Sequence, residues 1–184
     1  MTEASGSPRA DRGIIHYGAT LRPAKVDLIA AWLPSQRWYA GKDHVPQLVR
    51  VGGFRFEDPD GEVGIETILV ADTAVEPAVV YHVPLTYRSE PVTGLSTALV
   101  GTLEHSALGT RWVYDGCHDL AYVDRLFAVI SGADSCSRDN AESATGRLVD
   151  ARGVVHITSA QVLTGEQSNT SVVCETSGID GRAS

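Results

Sequence analysis

The chain has 184 residues, 43% of them hydrophobic and 21% charged, and carries a net charge of −8. A chain of this length buries roughly two-thirds of its unfolded surface, so it needs neither a disulfide nor a metal to hold a core. The acidic balance, unbroken by any basic stripe, speaks against nucleic acid and anionic membranes as partners. No apolar run reaches the roughly 20 residues of a membrane helix. Cys117, Cys136 and Cys174 are odd in number and form no CxxC, which fits a reducing, cytoplasmic setting better than a secreted disulfide framework. The polar N-terminus has no apolar h-region, so no signal peptide is expected.

In chain order, residues 1–13 are Ser/Gly/Pro-rich and read as disordered. Ile14–Tyr17 reads as a short strand. Pro23 suits the first turn of a helix whose apolar face is Val26, Ile29, Trp32 and Leu33, and Pro34 stops it. Leu48–Phe56 reads as a strand, Asp58-Pro59-Asp60-Gly61 as a turn, and Val63–Val70 as a second strand. Val79–Arg88 alternates as a third, with Pro84 marking an edge or bulge because it donates no ladder hydrogen bond. Thr97–Glu104 and Thr110–Tyr114 follow as strands. Leu120, Val123, Phe127 and Ile130 form the apolar stripe of a second helix, with Asp119 in its first turn and Gly132 as its C-cap. Residues 133–147 read as a linker, Leu148–Leu163 as a hairpin turning at Asp150–Gly153, and the tail as frayed. Strands in succession between two helices predict an α+β domain over residues 14–132, both helices on one sheet face.

Catalytic constellations are sparse. His105 and His118 are candidate bases, yet no nucleophile pairs with either, and no GxSxG occurs. No HxxxH, HExxH or CxxC supports a metal site. Cys117 lies near a helix N-terminus that would favour its thiolate, although a structural cysteine is the simpler reading. Trp32, Trp38 and Tyr39 read as core aromatics, with Arg37 and Lys42 beside them as solvated or salt-bridged cations. Gly165–Val173 (GEQSNTSVV) is the chemically suggestive segment. Its small hydroxyl and amide side chains suit a loop whose backbone N–H groups approach phosphate oxygens.

Three stretches together resemble the bacterial maltokinases, which phosphorylate maltose with ATP. Trp32–Lys42 (WLPSQRWYAGK) is similar to the family's WLPxQRWFxGK opening. VPLTYR, ALVGTLEH and RWVYDGCHD, at 83–88, 98–105 and 111–119, are similar to the sheet of its N-terminal cap. GEQSNTSVV resembles the nucleotide-phosphate loop of the kinase N-lobe. The resemblance implies a cystatin-like cap, a curled antiparallel sheet packed on a helix, followed by a linker and a partial hairpin, with 148–184 as a piece of the N-lobe. It implies phosphate-binding positions at Gln167, Ser168, Asn169, Thr170 and Ser171. It makes Trp32, Pro34, Arg37, Trp38, Gly41, Lys42, Tyr114 and Asp115 signature residues of structural character.

Phosphoryl transfer also needs a phosphate-holding lysine, Mg²⁺ ligands and a group to orient the hydroxyl. In the family these follow the phosphate loop, and no HGDxHxxN-like segment stands in this sequence. The expectation is therefore a cap-like protein without a catalytic residue or metal site of its own. It would bind or regulate a kinase lobe or another enzyme of maltose, trehalose or glucan metabolism. One alternative is the N-terminal part of an ATP-dependent maltokinase, for which ATP and Mg²⁺ would be the cofactors. Another is a small-ligand module built on the aromatic cluster and a histidine. Oligomeric state is open on this reading.

Overall fold

The computed structural model describes residues 19–131 and, as backbone alone, the strands at 137–138, 155–164 and 170–178. The expected strand at Ile14–Tyr17 lies outside these residues. The elements are β1 (Leu21–Arg22), α1 (Lys25–Trp32), β2 (Leu48–Phe56), β3 (Gly64–Asp72), β4 (Val79–Arg88), β5 (Leu99–His105), β6 (Gly109–Asp115), α2 (Leu120–Ile130), β7 (Ser137–Arg138), β8 (Val155–Thr164) and β9 (Thr170–Gly178). Strands β1 to β7 form one curled antiparallel sheet in the order β1-β5-β6-β4-β3-β2-β7. This is the α+β architecture the pattern predicts.

Local chemistry sets the strand boundaries. The turn between β2 and β3 closes with Gly61 N–H donating to Asp58 O at 3.0 Å, with Gly61 at φ 70°. The Asp58 carboxylate accepts from the N–H groups of Glu62 and Val63, both at 2.8 Å. Glycine is required there because an L side chain resists that backbone conformation. Pro84 lies inside a central strand rather than an edge one, opposite Thr67 of β3. It is tolerated because β6 pairs with β4 only from Leu85 onward, so at Pro84 the strand has β3 alone beside it.

The two helices cover opposite faces of the sheet, not one face as expected. Alternation along β3 decides this. Ile68 and Val70 join Leu28, Ile29 and Leu33 in the core beneath α1, together with Tyr81, Val83, Leu85, Leu103 and Val113. Ile65 points the other way and packs with Phe56, Tyr122 and Val129 of α2. The middle of the sheet is therefore buried on both sides. Each fully buried Val, Ile or Leu there contributes about 1.5–3 kcal/mol.

The stripe expected for α2 also differs. Leu120 and Ile130 are exposed, and the helix buries Tyr122, Val123 and Val129. Tyr122 turns inward because its hydroxyl meets the buried Thr67 Oγ1 at 2.6 Å and its ring packs on Phe56. Ser131 caps the C-terminus, its N–H reaching Phe127 O at 2.8 Å, while Gly132 lies outside the described residues. At the other helix, Pro23 precedes the N-cap Ala24 rather than lying in the first turn. Pro34 falls in a single 3₁₀ turn, Leu33–Ser35, that ends the helical path.

Past α2, β7 pairs with Phe54 and Arg55 of β2, within the stretch read as a linker. Strands β8 and β9 pair with each other, antiparallel, and the turn expected at Asp150–Gly153 lies outside the described residues. The hydrophobic residues of 155–163 belong to a single strand, and 170–178 supplies its partner.

Candidate functional site

The segment with the most specific sequence, Trp32–Lys42, leaves α1, makes the 3₁₀ turn and folds back over the end of the sheet. Ser35 Oγ donates to Trp32 O at 2.7 Å, which fixes the turn. Trp38 packs between Trp32 and Tyr81, with ring centroids 5.9 Å from each. Ala40 N–H donates to the Tyr81 hydroxyl at 3.3 Å. Gly41 is buried, and a Cβ there would overlap the His44 ring and the Tyr39 hydroxyl. Glycine at this place is a matter of space.

The segment closes on Asp72, the last residue of β3, which is fully buried. Asp72 Oδ2 accepts from the Tyr39 hydroxyl at 2.7 Å and from His44 Nε2 at 3.0 Å. Its Oδ1 accepts from the backbone N–H groups of Gln47 at 3.1 Å and Ala74 at 3.0 Å. Burial alone would raise this carboxyl's pKa. The hydrogen bonds from Tyr39, His44 and the backbone outweigh it and hold Asp72 well below the usual carboxylate range. Burial and the neighbouring carboxylate push the Tyr39 phenol well above its ordinary value. A phenol that is held protonated and donates to a carboxylate serves as neither base nor nucleophile at neutral pH.

Two further buried carboxylates pin the helices. Glu66 Oε1 accepts from Lys25 Nζ and from the Tyr87 hydroxyl, each at 2.5 Å, tying the first residue of α1 to the sheet. Burial would raise the Glu66 pKa, but Lys25, Tyr87 and Arg55 lower it overall. Asp119 is the N-cap of α2, accepting from Ala121 N–H at 3.0 Å. It also accepts from Thr86 Oγ1 at 2.8 Å and from Arg88 through Nε at 3.1 Å and Nη2 at 2.7 Å.

The expected candidates take local roles. His105 Nδ1 accepts from the N–H groups of Ala107 and Leu108, both at 3.2 Å, and so caps the β5–β6 turn. His118 Nδ1 lies 3.4 Å from Asp115 Oδ2, and that hydrogen bond raises its pKa despite partial burial. Burial, reinforced by Asp115, pushes the Cys117 thiol up to about 12, against the thiolate a helix N-terminus would favour. Tyr114 is buried, and its hydroxyl accepts from Val92 N–H at 2.9 Å. Asp115 accepts from Cys117 N–H at 3.0 Å and so caps the short turn before α2. Pro34, Arg37 and Lys42 are exposed, whereas Trp32 and Trp38 are half-buried against the core.

Of the phosphate-loop positions, Gln167, Ser168 and Asn169 lie outside the described residues. Thr170 and Ser171 open β9 opposite Thr164 and Leu163. The described part of the stretch is thus the start of a β-strand.

Sequence reading placed Asp119 at the start of α2 but missed the buried roles of Glu66 and Asp72 and their partners Lys25 and His44. A signal was present, since Glu66 and Asp72 interrupt the otherwise apolar GIETILVAD strand, but their partners stand far away in sequence. A shallow cleft of about 340 Å³ lies beside the start of α2, lined by Asp58, Asp60, Glu62, Asp124, Arg88 and Arg125 among others. Among the described residues no group of His, Cys, Asp and Glu could hold a metal ion, and no helix is long and apolar enough to cross a membrane.

Two comparisons bear on this arrangement. The family model of the maltokinase N-terminal cap domain matches residues 32–119, from the first tryptophan of the WLPSQRWYAGK segment to the N-cap of α2. No curated protein matches the chain.

Proposed function

From the premise that residues 32–119 are a maltokinase N-terminal cap domain, we propose that this protein is a binding or regulatory module rather than a self-sufficient catalyst. It docks on a kinase lobe or on another enzyme of maltose, trehalose or glucan metabolism. One observation carries the reading. The signature segment turns Tyr39 inward onto Asp72, where His44, two residues past the segment, joins it, and both hold the fold together. Two other interior carboxylates, Glu66 and Asp119, are likewise committed to a lysine and an arginine.

A second reading is the N-terminal part of an ATP-dependent maltokinase. A specific observation favours it: GEQSNTSVV runs into a strand, Thr170–Gly178, that pairs with Val155–Thr164 before it, and kinases cover the nucleotide phosphates with a loop joined to strands.

One experiment separates the two. The purified chain is melted with and without Mg-ATP and maltose, and the same sample is assayed for maltose phosphorylation. A ligand that binds only the folded state must raise the midpoint once it exceeds its dissociation constant. The docking module gives no Mg-ATP shift and no turnover. A clear Mg-ATP shift would favour the kinase reading, and turnover would overthrow the proposal.

A further inference from the structure

We draw no further inference here: the strongest candidate, the exposed valines Val49, Val51 and Val80 at the end of the β2–β3–β4 meander, is an unpartnered apolar sheet face, and nothing in the structure shows what covers it.

Discussion

Asp72 and Asp119 are both buried carboxylates that fasten a segment to the sheet, yet they are built from different donors. Asp119 faces a permanent cation, Arg88, through two hydrogen bonds, and it also caps a helix. Asp72 gathers a phenol, an imidazole and two backbone N–H groups. Its stability contribution rests on hydrogen bonds that only a folded chain can converge on one point. The Arg88 guanidinium, a quarter exposed, can return to water when its partner is lost. Of the donors around Asp72, the buried Tyr39 phenol cannot, whereas His44 is itself a quarter exposed. The signature segment is therefore the more brittle of the two attachments, and its residue types answer to closure of the fold.

That contrast can be broken by substitution. Asp72→Ala leaves the buried Tyr39 hydroxyl without its acceptor and removes the acceptor of His44 and of two part-buried backbone N–H groups, and should cost about 3–5 kcal/mol in urea unfolding. The same carboxylate gives a pH test. Its folded pKa lies below its unfolded one, so the unfolded chain takes up the proton first as pH falls. The stabilisation is full above about pH 4, the ordinary carboxylate range, and drains away as pH drops toward the folded value. The fall in urea midpoint below that pH should be shallower in Asp72→Asn, and an unchanged slope would remove Asp72 from the account.

Gly41→Ala forces a methyl group into His44 and Tyr39, and should cost about 1–3 kcal/mol with the sheet otherwise intact. Asp119→Ala loses the cap of α2 and the acceptor of the buried Thr86 hydroxyl while Arg88 rehydrates, so a loss of about 1–3 kcal/mol is expected, with a fall in the helical circular-dichroism signal. A loss matching that of Asp72→Ala would erase the distinction between the two carboxylates. Smallest of all, Arg37→Ala and Lys42→Ala should each leave the thermal midpoint within about 0.5 kcal/mol of the parent, since both side chains are exposed. A larger change would give one of these cations a structural task.

What could be read in advance follows the range of the interactions. Leu48–Phe56 and Val79–Arg88 were legible to the residue, because β-branched and aromatic residues alternating between turn signals need no distant partner to be recognised. The Asp58–Gly61 turn was legible for the same reason. The facing of α2 was not. Leu120, Val123, Phe127 and Ile130 make an acceptable stripe on paper, and only the Thr67 hydroxyl across the chain makes Tyr122 the better inward residue. Placing both helices on one face failed because a strand buried on both sides looks, in sequence, like a strand with one good face. The WLPSQRWYAGK segment was recognised, but its engagement with Asp72 was not, since Tyr39 meets a carboxylate 33 positions further along the chain.

The order of strands also bears on how the chain finds this structure. Strands β2, β3 and β4 are neighbours both in sequence and in the sheet, so the meander can zip through two short connections. The β5–β6 hairpin is equally local, but it enters by its second strand, with β6 beside β4. The tiny β1 joins last on topological grounds, because Leu21 must meet His105, 84 positions further along the chain. Closing so long a loop is slow and yields only a two-residue ladder. The edge where α1 begins is thus the natural place for the native state to open first, while β3, flanked on both sides and covered on both faces, stays shut until the whole domain comes apart.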